Sequence, residues 1–168
     1  MRTIVAGVMA LLVLGATAAL AAEPLPQPSG PVILTVSGAI ERTNGAGAAH
    51  FDRAMLQELG VASIETSTVW TDGVKRFEGV SLKKVLDRVG ARGTRLRASA
   101  LNDYAIVLPI SDLRYDPLLA MSMDGSELTV RTRGPLWIVF PRDAFPELRT
   151  AEQDARWVWQ LKRLSVEP

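Results

Sequence analysis

Two features of the chain decide most of the chemistry open to it: it has one histidine, His50, and no cysteine. Disulfides, zinc–thiolate sites, iron–sulfur clusters and cysteine nucleophiles all require sulfur and are excluded together. Every serine–histidine–carboxylate or histidine–metal arrangement would have to pass through His50. That residue ends the small-residue stretch GAGAAH, with no Glu-x-x-His or His-x-His spacing to bring a second ligand onto the same face. A loop or capping role is expected for it. The carboxylates Asp103, Asp112, Asp116, Asp124 and Glu127 fall at turn and helix-start positions, and no D-x-D-x-D-G calcium loop is present.

More distinctive is the hydroxyl-rich segment Thr66-Ser67-Thr68, followed at once by Trp70 beside a polar turn. Trp70 suits either a core position or the rim of a cleft. Trp137, Trp157 and Trp159 stand within apolar runs and are expected in the core. Arg131, Arg133 and Arg142 flank the apolar run at 136–141, and Arg92, Arg95 and Arg97 form a second cluster. Arg95 and Arg97 would share one face of a strand, there to guard an edge or to receive an anion.

The elements that must position these residues follow from periodicity and turn chemistry. PVILTVSG at 31–38 reads as a strand and the stretch at 41–50 as a loop. A short helix opens at Phe51-Asp52, with Asp52 as N-cap and Gly60 beyond its end. A strand is expected over 63–70, turned by Thr71-Asp72-Gly73. The clearest helix spans 82–89, where Leu82, Val85, Leu86 and Val89 recur at i, i+3, i+4 and i+7. Ser81 is positioned to cap it and Gly90 to close it. Strands at 94–100 and 104–108 form a hairpin, a helical turn begins at Ser111-Asp112-Leu113, and 118–123 pairs with 127–130 across Asp124-Gly125. LWIVFP is a buried strand, the stretch 143–154 is irregular or weakly helical, and the ending ARWVWQLKRLSVEP is a strand bulged near Lys162-Arg163. About eight strands and two good helices without strand–helix alternation indicate an α+β fold with a mixed, mainly antiparallel sheet.

Composition sets the outer bounds. With 168 residues, 48% hydrophobic and 22% charged, the chain is that of a compact globular protein with one domain. Residues 1–21 read as a signal peptide, with Arg2 ahead of an apolar run and the small-x-small triplet Ala19-Leu20-Ala21 at the cleavage point. No Arg-Arg pair precedes that run, so the general export route is expected and the location is periplasmic. A proline-rich leader occupies 22–31 and the domain 32–168. Loss of residues 1–21 leaves 18 basic against 18 acidic residues, which gives no electrostatic reason to bind nucleic acid.

The order of the motifs resembles the oxidoreductase molybdopterin-binding domain of the sulfite oxidase superfamily. The resemblance is carried by F-x-G-V-x-L-x-x-V-L-x-x-x-G at 77–90, Asp103-Tyr104, LLAMSMDG at 118–125, GPLWIVFP at 134–141 and the tryptophan-rich ending, from about residue 32 to 166. It implies a compact α+β domain that holds molybdenum on a pterin dithiolene and transfers oxygen atoms. It also implies a metal-ligating cysteine in the segment matching 64–69, where this chain has Thr66-Ser67-Thr68, and an arginine after the Gly-Pro turn, where this chain has Trp137. A hydroxyl does not easily replace a soft thiolate. The expectation is therefore a binding module that has lost molybdenum ligation and carries no cofactor, although the family allows molybdopterin. Its cleft would be formed by Thr66, Ser67, Thr68, Trp70, Asp103, Tyr104 and Arg133, taking a small polar or anionic ligand, or a periplasmic or membrane protein partner. The alternatives are a molybdopterin-dependent oxidoreductase using a non-cysteine loop and an accessory subunit of a membrane-bound enzyme or sensor.

Overall fold

The computed structural model describes residues 24–168; the expected signal peptide and the first two residues of the leader lie outside the described residues. Ten strands form two five-stranded sheets. The first sheet contains β1 (Leu34–Gly38), β2 (Ala48–Phe51), β5 (Arg95–Ala100), β6 (Ala105–Pro109) and β10 (Leu161–Glu167), in the order β2-β1-β10-β5-β6. The second contains β3 (Val61–Thr68), β4 (Thr71–Ser81), β7 (Leu118–Met123), β8 (Ser126–Glu127) and β9 (Trp137–Val139), in the order β3-β4-β7-β8 with β9 also on β7. Among the described residues only β1 and β10 pair in parallel, so the first sheet is mixed and the second wholly antiparallel, in keeping with the mainly antiparallel α+β class expected.

The helices are short: α1 (Arg53–Glu58), α2 (Leu82–Val89) and α3 (Ala151–Asp154). Asp52 caps α1 by accepting from the Met55 amide at 2.9 Å, and the same carboxylate takes the Ser29 and Gly30 amides at 2.7 and 2.8 Å, which fastens the leader to the domain. α2 buries Leu82, Val85, Leu86 and Val89 and ends on Gly90 in the left-handed region at φ 64°. The Ser81 hydroxyl does not cap α2 as expected; it donates to Asp116 instead. Both sheets and α2 contribute to one continuous buried cluster.

Four expectations are corrected. His50 lies in β2, not in a loop, and its Nδ1 is 3.2 Å from the Thr35 hydroxyl of the neighbouring strand. The turn after β3 is Val69-Trp70 and not Thr71-Asp72-Gly73, so the chain re-enters the sheet at Thr71 as the eleven-residue β4. Its first six residues, TDGVKR, are mostly polar and largely exposed, which is why alternation does not announce it. β8 is only two residues long, because the chain leaves the sheet for a single 3-10 turn at Val130–Thr132. The last strand starts at Leu161, so Trp157 and Trp159 precede it. Its bulge falls where expected, with a register shift between Leu161 and Arg163 that leaves Lys162 and Arg163 both exposed.

Candidate functional site

The two sheets meet along backbone hydrogen bonds between residues 133–138 and 158–161: Gln160 N–H to Arg133 O at 2.8 Å, Ile138 N–H to Val158 O and Leu161 N–H to Leu136 O, both at 2.9 Å. This seam sets Trp137 of β9 against Trp157 and Trp159, and the Val69-Trp70 turn lays a fourth indole on them. Trp70 stands 5.3 Å from Trp159, 5.8 Å from Trp157 and 6.3 Å from Trp137 between ring centroids, in tilted or edge-on packing. Trp137 and Trp157 are buried, whereas Trp70 and Trp159 are half-buried.

Beside this cluster lies a cleft of about 230 Å³ lined by Trp70, Trp157, Trp159, Tyr104, Asn102 and Asp154 among others. Its lining is mostly apolar and its polar groups sit on the rim. Tyr104, at the end of the β5–β6 turn, spans to the far wall by donating its hydroxyl to Ala155 O at 3.0 Å. Three ion pairs hold that wall: Arg142 Nε lies 3.2 Å from Asp154 Oδ1, and Arg156 joins the buried Asp112 while also reaching Glu152 at 2.7 Å. Asp112 therefore anchors the cleft's outer loop to the 3-10 helix Ile110–Tyr115; it does not open that helix as expected, since the helix starts at Ile110 without a side-chain cap.

Of the seven residues expected to form one site, the structure brings Trp70 and Tyr104 into this cleft. Thr66, Ser67 and Thr68 do not line it. Ser67 donates its amide to Asp143 Oδ2 at 2.5 Å and its hydroxyl to Asp143 Oδ1 at 2.6 Å, and the fully buried Thr66 hydroxyl accepts the Asp143 amide at 3.1 Å. Thr68 Oγ1 accepts from the Trp70 amide at 3.0 Å and lies 2.8 Å from the Thr71 hydroxyl. Asp103 is exposed in its turn with φ 63°. Arg133 donates to Trp70 O at 2.9 Å with its guanidinium 5.3 Å from the Trp137 ring centroid, so it braces the aromatic cluster from outside the cleft. Arg97 and Arg95 both face Glu167, at 2.8 and 3.8 Å.

The Asp143 carboxyl is held below its ordinary value, first by the Ser67 hydroxyl, then by the Ser67 amide, with a further contribution from the Arg149 and Arg142 charges. Asp143, Asp112 and Arg156 escape sequence reading because their partners are far away in the chain. Trp157 is in the core as expected and Trp159 packs against it half-buried, and both also line the cleft; the concentration of indoles at 157–159 is the signal in the sequence for that second role.

Residues 50–162 match the family model described as the oxidoreductase molybdopterin binding domain. This chain belongs to that family. Among solved structures, the crystal structure of the sulfane dehydrogenase SoxCD from Paracoccus pantotrophus has a TM-score of 0.59 and 18% identity, covering 80% of this chain. The likeness is one of fold. This family member spans only 37% of the SoxCD chain it matches. No curated protein matches the sequence.

The donor set of this molybdopterin-binding-domain member does not fit molybdenum ligation at the segment where the resemblance places it. There is no thiolate in the chain, and that segment is the end of strand β3, whose three hydroxyls are turned to Asp143, Ser67 and Thr71 or to the Trp70 amide. Among the described residues no group of three or more histidines and carboxylates is placed to hold a metal ion.

Proposed function

We propose that this protein is a periplasmic, cofactor-free binding module of the molybdopterin-binding fold, taking a small ligand in the cleft between Trp70, Trp159 and Tyr104. The carrying observation is the double hydrogen bond from Ser67 to Asp143, which engages the hydroxyl-rich segment that the resemblance matches to the family's thiolate, together with an aromatic cleft that this segment does not line. Aromatic walls supply contact area at low conformational cost, and the few rim polar groups suit orientation more than catalysis. The test is molybdenum by elemental mass spectrometry, with pterin fluorescence after acid oxidation, on protein isolated from its own host. Absence of both is expected. Near-stoichiometric molybdenum and pterin would instead establish a cysteine-free oxidoreductase.

A second reading, an accessory subunit of a membrane-bound enzyme or sensor, draws on the β3–β4 hairpin. This hairpin forms a sheet edge and leaves Val61, Val69 and Val74 between 53% and 62% exposed. Crosslinking from position 74 in host envelopes to one defined protein would favour it. No helix among the described residues is long and apolar enough to cross a membrane.

A further inference from the structure

The aromatic cluster contains a polar defect. Trp157 is 2% exposed, it lines the cleft, and its Nε1–H has no acceptor among the described residues. The Nε1–H of Trp137, fully buried against the same rings, is also unpaired. Buried indole N–H groups ordinarily find an acceptor, and one left without a partner requires a physical reason. Two adjacent orphan donors beside a cleft point to a site made to receive an oxygen.

Both of these rings pack against Trp70. It is the one half-buried indole packed against both Trp157 and Trp137. It sits in a two-residue turn with its neighbour Val69 53% exposed, and its backbone is held by the Thr68 hydroxyl and Arg133 while its ring is held by tilted and edge-on contacts with the other indoles.

We infer that the cleft takes a flat, apolar, uncharged ring system bearing a carbonyl or equivalent acceptor oxygen, whose ring lies against Trp159 and Tyr104 and whose oxygen is received by Trp157 Nε1–H once the Trp70 ring shifts aside. The polar groups of the cleft argue against an ionic ligand. Asp154 is already neutralised by Arg142, Asn102 is a neutral amide, and Arg133 and Arg156 are engaged elsewhere. Of the three buried polar atoms without a partner among the described residues, Gln153 Oε1 on α3 and Trp137 Nε1 are not part of the cleft lining, and the one that lines the cleft is a donor, Trp157 Nε1–H. A hydrocarbon ring would fill the cleft without satisfying it, whereas the same ring with a carbonyl would do both. This inference rests on the cleft being the ligand site.

The experiment uses the mature chain with 15N-labelled tryptophan, in which four indole N–H signals report the four rings, each assigned by its Trp→Phe variant. The probes are 1,4-naphthoquinone and naphthalene, the same bicycle with and without carbonyls; the protein has no cysteine for the quinone to alkylate. The expected result is tighter binding of the quinone by about tenfold, the value of one well-made hydrogen bond. A downfield shift of the Trp157 signal should accompany the quinone alone. In Trp157→Phe the two probes should bind equally. Equal binding in the native protein, or an unmoved Trp157 signal on quinone binding, would overturn the inference and leave the cleft intact. If neither probe perturbs Trp70 or Trp159, the cleft itself is not the ligand site and the proposed function fails with it.

Discussion

Asp143 grips Ser67 across 76 residues of sequence, its two carboxylate oxygens taking the Ser67 amide and hydroxyl at 2.5 and 2.6 Å. The contact locks the end of β3 to the loop after β9, and its energy depends on both groups. Ser67→Ala removes one charge-assisted bond and is expected to cost about 1.5–3 kcal/mol. Asp143→Ala strands both donors and should cost more. Urea unfolding of the two variants checks the order. Ligand binding at the cleft should be nearly unchanged in Ser67→Ala, since Ser67 does not line it.

Acid should weaken the fold through a small set of carboxylates. Asp143, Asp52 and Asp124 are each held below the ordinary 3.8, led by the Ser67 hydroxyl, the Met55 amide and the Arg76 amide respectively. A carboxyl with a lower pKa in the folded chain binds fewer protons there than in the unfolded chain. Its contribution is therefore complete above 3.8 and is lost as pH falls through the folded value. Melting temperatures should be flat from neutrality to about pH 5 and decline below it. Asp52→Asn and Asp143→Asn should each shallow that decline, and an unchanged acid limb in both would refute the assignment.

The Asp112–Arg156 pair is enclosed, with side chains 8% and 13% exposed. Losing Asp112 leaves Arg156 with only the exposed Glu152 as a counter-charge, at a cost of about 1.5–3 kcal/mol, the range of a hydrogen bond to a charged group. Asp112→Ala should destabilise the protein by that amount and also loosen the segment that carries Trp157, raising acrylamide quenching of tryptophan fluorescence. Replacing both residues by apolar ones should recover much of the stability.

Trp137 and Trp70 should respond differently to truncation. Trp137 is fully buried, and Trp137→Ala removes the centre of the cluster at an expected 3–5 kcal/mol. Trp70→Ala, at a half-buried position, should cost less than half of that and leave a folded protein with impaired cleft binding. Chemical unfolding and probe titration together separate the two.

Gly79 tolerates no side chain. A Cβ there would lie 2.0 Å from Leu119 O on the adjoining β7, beside the register shift between Glu78 and Gly79. Gly79→Ala must separate β4 from β7, and loss of soluble protein is the expected outcome of expressing it.

Local order was legible from the chain wherever neighbours in sequence are also neighbours in space. The i, i+3, i+4, i+7 stripe of α2, Gly90 at its end, the Asp124-Gly125 turn, the Asp52 cap and the bulge at Lys162 are all short-range, and each has the expected place. The motif order along residues 77–141 was enough for the family. Long-range pairings were not legible: β4 is a strand because β3 and β7 flank it, in spite of its polar first half. The site changed most. Thr66, Ser67 and Thr68 read as open hydroxyls because the partner of Ser67, Asp143, arrives only when the chain returns after β9, and because the Thr68 contacts to Trp70 and Thr71 depend on the tight turn at Val69-Trp70.

By itself, then, the sequence determined the absent sulfur, the α+β class, the family and the richness in tryptophan, since these depend on composition and local periodicity. The tertiary structure alone decided which donors remain free. It spends the Thr66–Thr68 hydroxyls on internal partners and gathers four indoles from three segments onto one seam, leaving Trp137 and Trp157 without acceptors. Hydrogen-bond satisfaction is a property of three-dimensional neighbours, and no reading along the chain can establish it.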